Sequence, residues 1–213
     1  MKKILYYIAL ILMWPAPVLL FKTKTYYEDN DKENRKIKGS AIIISNHRSF
    51  WDGIVIAFRF FFKRLHYLVA DWYGNTRKFL KFVISCAGGI FVDKDLRNFD
   101  FIEKTKKVTR KGRAILIFPE GDFKFTPEPA DFSTGYILLA IKTKSKIVPV
   151  VNDFNYGIFK RVHLMIGKSI DLSQYSDEEI TREKLKIINE EIRNKFLNLF
   201  HELKERKLKK QNK

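Results

Sequence analysis

The chain has 213 residues, 46% hydrophobic and 31% charged, with a formal net charge of +17 and a single cysteine. That length buries one sizeable core without requiring a second, and the composition excludes an intrinsically disordered chain. Cys86 alone excludes an intramolecular disulfide, and no Cys/His cluster has zinc-site spacing, so no metal and a reducing compartment are expected. The charge asks for an anionic partner. Basic residues are spread along the chain without a recognisable nucleic-acid motif, which favours a surface role over nucleic acid.

In chain order, residues 4–21, ILYYIALILMWPAPVLLF, are eighteen apolar residues bounded by Lys2, Lys3, Lys22 and Lys24. This is close to the minimum for a bilayer-spanning helix. Trp14-Pro15-Ala16-Pro17 would kink or break such a helix, so an anchor that dips into the interface competes with a full span. Residues 1–24 are therefore expected to be a hydrophobic membrane-anchoring helical segment, with the domain on the cytoplasmic face where a lone cysteine fits. Residues 22–40 read as a polar linker. Strands are expected at 41–45, 65–70, 89–93, 114–118, 146–151 and 162–167, several continuously apolar, as in a sheet covered on both faces. Helices are expected at 50–62, 75–86, 98–111 and 133–144. The alternation predicts an α/β domain over 25–175 with a largely parallel mixed sheet flanked by helices. Over 176–213, Ser176 and Glu179 form a capping box. Leu185, Ile188, Ile192, Phe196, Leu199 and Leu203 then lay one apolar stripe on an amphipathic helix, which ends in a basic, frayed tail.

A histidine precedes an aspartate by five positions twice, His47 to Asp52 and His66 to Asp71. In LHYLVAD the segment reads as a strand, where positions five apart point to opposite faces, so His66 and Asp71 should not meet. In IIISNHRSFWD the isoleucines form a strand that ends at Ser45 and Asn46. Ser49 caps a following helix and puts Asp52 in its first turn. Such a turn folds back, so the carboxylate can hold one imidazole nitrogen while the other takes a proton from a hydroxyl. It also lies at the carboxyl end of a parallel strand, where ligands gather.

NHRSFWD resembles the N-H-x4-D signature of the glycerolipid acyltransferases, membrane-bound enzymes that include 1-acylglycerol-3-phosphate acyltransferase. GGIFVDKD (88–95), FPEG (118–121) and IVPV (147–150) resemble that family's further blocks, in its order. The resemblance implies transfer of a fatty acyl group from acyl-coenzyme A or acyl carrier protein, as co-substrate and with no cofactor, to a lysolipid hydroxyl. The acceptor implied first is 1-acylglycerol-3-phosphate, in phospholipid biosynthesis at a membrane phospholipid surface. It makes His47 the general base and Asp52 its partner, with no covalent acyl-enzyme. Asn46 would orient the turn, Gly88, Phe91 and Lys94 would line the acceptor site, Glu120 and Gly121 would hold the acceptor or shape the pocket, and Pro149 would shape its wall. The departures concern the acceptor's phosphate: Lys94 stands where the family has arginine, Asp122-Phe123-Lys124 replaces Thr-Arg-Ser, and Phe132-Ser133-Thr134-Gly135 has no lysine. Another lyso- or amino-lipid acceptor, and a non-catalytic basic membrane-surface module, are the alternative readings.

Overall fold

The structure, a computed structural model, describes residues 4, 6–8, 11, 22–30, 35–70, 78–92, 100–123, 125–157, 160–175 and 180–211. Among the described residues seven strands form one sheet: β1 (Lys22–Tyr27), β2 (Ala41–Ser45), β3 (Leu65–Ala70), β4 (Gly89–Val92), β5 (Ala114–Ile117), β6 (Lys146–Asn152) and β7 (Arg161–Ile166). Their spatial order is β1-β7-β6-β2-β5-β3-β4. Every pairing is parallel except β6 with β7. The helices are α1 (Phe50–Arg59), α2 (Lys78–Cys86), α3 (Asp100–Thr109), α4 (Gly135–Thr143) and α5 (Arg182–Gln211).

The isoleucine run shows why the strands read as continuously apolar. Ile42, Ile43 and Ile44 are all fully buried, because alternate side chains leave β2 on opposite faces and both faces are covered. Ile42 and Ile44 join a core roofed by α4 and α5, which includes Tyr136, Ile137 and Phe196. Ile43 joins the core under α1, with Val55, Ile56 and Phe60. All six residues of the expected C-terminal stripe are buried on the first of these faces. Phe196 packs edge-on against Phe132 at 5.2 Å. The helix runs to Gln211; residues 212–213 of the basic tail and the Ser176–Glu179 box lie outside the described residues.

The linker expected over 22–40 needs correction. Lys22–Tyr27 is an edge strand paired in parallel with β7 from Lys22↔Arg161 to Tyr27↔Ile166, so the boundary expected at residue 24 falls inside it. Its lysines masked a run of good strand formers, Thr23, Thr25, Tyr26 and Tyr27. Lysines suit an edge, where charge discourages pairing with another chain. Arg59, at the end of α1, ties the strand down by donating to Thr25 Oγ1 at 3.1 Å and to the Tyr27 hydroxyl.

Of residues 4–21, residues 4, 6–8 and 11 are described and helical. Tyr6 is buried against the α1 face of the sheet, and its hydroxyl accepts from Leu65 N at 3.3 Å. Tyr7 meets Phe61 edge-on at 5.9 Å. Ile4, Ile8 and Ile11 are exposed. Among the described residues no helix is long and apolar enough to cross a membrane; Trp14 to Pro17 lie outside them.

Candidate active site

β2 ends at Ser45, and the chain must then turn into α1. Asn46, 1% exposed, fixes the turn. Its Nδ2 donates to Asn152 O and its Oδ1 accepts from Asn152 N, both at 2.9 Å. The side-chain amide thereby adds one more rung to the β2–β6 ladder and frees the backbone to leave it. Ser49 caps α1 by accepting from Trp51 N at 3.2 Å, and Asp52 reaches back to accept from Ser49 N at 2.8 Å, a capping box.

The Asp52 carboxylate does more than cap. It is fully buried, and Oδ2 also accepts from Arg48 N at 2.7 Å and lies 3.0 Å from His47 Nδ1. Oδ1 accepts from Asn152 Nδ2 at 3.2 Å and from the Tyr156 hydroxyl. Five donors and the positive end of α1 hold the negative charge in place. Since Oδ2 can only accept, the imidazole proton sits on Nδ1 and Nε2 carries a lone pair. The His47 side chain is 17% exposed, and no group among the described residues bonds Nε2, so a substrate hydroxyl can reach it. The ring lies flat on Phe118, with centroids 3.8 Å apart and planes at 10°, and Phe123 flanks it at 4.3 Å. Position, tautomer and ring plane of the base are thus each fixed by a separate contact.

Of the two roles expected of Glu120, holding the acceptor or shaping the pocket, its contacts belong to the second. Oε1 accepts from His47 N at 3.0 Å and Oε2 from Ala130 N at 3.2 Å, so the carboxylate pins the backbone of the base to the loop that runs on to α4. Burial raises its pKa, against the lowering effect of these two N–H groups and of His47 and Arg48. Gly121 closes the turn that delivers it, with Gly121 N bonded to Phe118 O at 3.0 Å and φ +81, a conformation for which glycine is suited.

Of the remaining expected residues, Gly88, Phe91 and Pro149 are described, and no bond joins them to His47 or Asp52 among the described residues. Gly88 stands at the amino-terminal end of β4, where its carbonyl accepts from Tyr67 N at 3.2 Å and meets His66 Nδ1 at 3.0 Å. Its φ is +96, and a Cβ would lie 2.8 Å from Leu65 O, which accounts for a glycine there without an acceptor. Phe91 is in β4, with β3 and β5 between it and β2, roughly 14 Å away at ordinary strand spacing; Lys81 Nζ is 5.4 Å from its ring. Pro149 faces the α5 side of the sheet. Its carbonyl accepts from Gly167 N at 2.9 Å, one residue before the β7 ladder begins at Val150. Lys94 and Asp71 lie outside the described residues. His66 belongs to β3, buried, with burial and the charges of Arg64 and Arg113 lowering its pKa to about 4. Among the described residues no group of three or more His, Cys, Asp or Glu is arranged to hold a metal ion.

Sequence reading missed Asn152, Tyr156 and the aromatic pair Phe118 and Phe123. Phe118 was visible as the first letter of FPEG, but a motif does not tell which ring stacks on the base. Asn152 and Tyr156 become neighbours of Asp52 only through the β2–β6 pairing.

With this geometry in hand, likeness to known proteins can be set beside it. The model of the family described as Acyltransferase matches residues 27–153, which takes in His47, Asp52, Glu120 and Asn152. A 1-acyl-sn-glycerol-3-phosphate acyltransferase of Borreliella burgdorferi is 29% identical over 187 residues, covering 80% of this chain and 70% of that one. The crystal structure of the 1-acyl-sn-glycerophosphate (LPA) acyltransferase PlsC from Thermotoga maritima has the same fold, with a TM-score of 0.59 over 97% of this chain and 78% of that chain, at 18% identity. The chain belongs to the Acyltransferase family and is an O-acyltransferase.

Proposed function

We propose that the protein moves a fatty acyl group from an acyl thioester to the free hydroxyl of 1-acylglycerol-3-phosphate, with acyl-coenzyme A or acyl-acyl carrier protein as donor. The observation that carries the chemistry is the His47–Asp52 couple, with Nδ1 committed to a buried carboxylate and Nε2 open. Nε2 takes the proton of the acceptor hydroxyl as its oxygen attacks the thioester carbonyl. The tetrahedral intermediate collapses with loss of the thiolate, which takes the proton from the imidazolium, giving ester and free thiol. Asp52 stabilises the imidazolium between these steps. The acceptor class rests on the name of the Borreliella burgdorferi relative. A positive group is at hand for its phosphate: the Arg48 guanidinium lies 4.6 Å over the Phe154 ring and donates to Thr126 O beside the base.

The same reading puts the protein on the cytoplasmic face of a membrane. Tyr6 docks the N-terminal segment on the domain while Ile4, Ile8 and Ile11, one stripe at helical spacing, are 65%, 45% and 61% exposed. Lipid is the surrounding that removes this cost, and a net charge of +17 favours anionic headgroups.

The test is acyl transfer by detergent-solubilised protein from each donor to lysolipids with and without a phosphate, with His47→Ala and Arg48→Lys alongside. The reading requires ester product from wild type, none from His47→Ala, and a raised KM for the phosphate-bearing acceptor in Arg48→Lys, which keeps the charge and loses the fork. Transfer to the phosphate-free lysolipid alone would move the acceptor elsewhere, and full activity of His47→Ala would remove the mechanism.

A further inference from the structure

We infer that Tyr156 is a positioning residue of the acyl transfer, its hydroxyl the donor that sets how much of the Asp52 charge the His47 imidazole feels. The inference rests on the reading of His47 and Asp52 given above and extends the site beyond the stretch that the family model matches, which stops at residue 153.

The direction of the proton follows from the partners. Asn152 Nδ2 can only donate, and it donates to the Tyr156 oxygen at 2.6 Å and to Asp52 Oδ1 at 3.2 Å. The phenol oxygen is therefore an acceptor toward Asn152, and its one proton goes to Asp52 Oδ1. Asn152 cannot turn over to reverse this, because its Oδ1 is occupied by Phe154 N at 2.9 Å. The loop after β6 is shaped to deliver the hydroxyl. Phe154 adopts φ +55, Tyr156 N bonds Phe154 O at 2.8 Å, and the Tyr156 ring packs against the α1-side core. A non-glycine residue rarely adopts the left-handed region, so the loop holds a conformation that the chain would not choose unaided. Burial and the adjacent Asp52 and Asp153 raise the phenol's pKa well above its ordinary range, so the donor is present at every working pH.

The two carboxylate oxygens divide the work. Oδ2 takes His47 Nδ1, Arg48 N and Ser49 N, and Oδ1 takes Tyr156 and Asn152. A donor on Oδ1 draws charge away from the imidazole on Oδ2. Removing it leaves a more basic carboxylate, a more stable imidazolium, and a base that stays protonated to higher pH. The other charged groups nearby are Glu120 beneath His47 N, the Arg48 guanidinium over the Phe154 ring, and Asp153, whose Oδ2 is held by His163 Nδ1 at 2.8 Å and Lys207 Nζ at 2.5 Å. None of these side chains bonds Asp52, so the direct route from Tyr156 to the base runs through Asp52.

The experiment is kcat/KM against pH for wild type and Tyr156→Phe, with Tm and the proton NMR signal of His47 Nδ1–H recorded on the same samples and assigned by its loss in His47→Ala. The expected result is an acid limb moved up by about half a pH unit, KM unchanged for both substrates, and the Nδ1–H signal moved downfield. Site-specific 3-fluorotyrosine at 156, a stronger donor that keeps ring and hydroxyl, should move the limb the other way. A Tyr156→Phe profile that superimposes on wild type with only Tm lowered overturns the inference and leaves a structural tyrosine. An Nδ1–H signal unmoved by both substitutions overturns it as well, and needs no turnover to be read. Full activity of His47→Ala would instead overturn the underlying mechanism.

Discussion

Replacing Asp52 by Asn keeps the side-chain volume and removes only the charge and one acceptor. Three donors converge on Oδ2 and two on Oδ1, so the amide oxygen takes the Oδ2 position and its NH2 faces two groups that already donate. Two donors lose their acceptor in a fully buried site, and the remaining bonds lose their charge assistance. Together these cost about 2–4 kcal/mol of stability, a fall in Tm of about 4–16 °C for a chain of this size. The catalytic loss is separate. The imidazolium formed in the transition state loses a charge-assisted partner, about 2–3 kcal/mol, or about 30- to 150-fold in kcat. The assay is thiol release from an acyl thioester, dependent on lysolipid, at a temperature well below the variant's Tm, with KM measured for both substrates. In a His47→Ala background the Asp52→Asn substitution should cost almost nothing further, since the two act as a unit. A folded Asp52→Asn protein with kcat within about threefold of wild type would refute the assignment of Asp52 as partner to the base.

Three further outcomes are expected. Glu120→Gln can accept from only one of His47 N and Ala130 N, so kcat should fall about tenfold to a hundredfold through a loosened base, while Tm barely changes because the buried charge that raises the Glu120 pKa is removed too; an unchanged kcat would show that the clamp does not position His47. His66, held neutral with its pKa lowered from 6.5 to about 4, contributes stability present above pH 6.5 and lost as pH falls toward 4, about 3 kcal/mol in all. His66→Asn keeps a donor toward Gly88 O and does not titrate, so unfolding midpoints measured from pH 7 to pH 4 should fall less steeply in the variant than in wild type. Phe196→Ala should cost about 3–5 kcal/mol by denaturant melt, with kcat at low temperature unchanged, because the ring lies against Phe132 under α5 and not at His47.

The sheet and its helices were legible because the signals were local: isoleucine runs, a Ser49 cap with Asp52 at its third position, and a 3.6-residue stripe from Leu185 to Leu203. β1 was not, because edge strands carry lysines and its pairing partner is at the other end of the chain. The His47–Asp52 contact was readable since one turn brings the two together. Tyr156 was not, because its distance from Asp52 depends on β6 lying beside β2 and on the left-handed turn at Phe154. Gly88 marks a different limit: the motif implies a place in the acceptor site, and backbone geometry alone already accounts for a glycine there.

The pairing of β1 with β7 also bears on how the protein is made. Among the described residues the first strand finds its only neighbour in the last, Lys22 beside Arg161 and Tyr27 beside Ile166. At ordinary elongation speeds β1 leaves the ribosome roughly 7 to 30 seconds before that neighbour exists. Contacts so distant in sequence slow folding, and in the interval β1 offers unpaired N–H and C=O groups on both sides. If the preceding apolar segment enters lipid at once, the waiting strand is tethered at the bilayer surface, and the sheet closes onto an edge already fixed there. The order of events would make attachment an early step in folding rather than something that befalls the finished enzyme, and protein translated without lipid should aggregate through β1 more readily than protein translated onto vesicles.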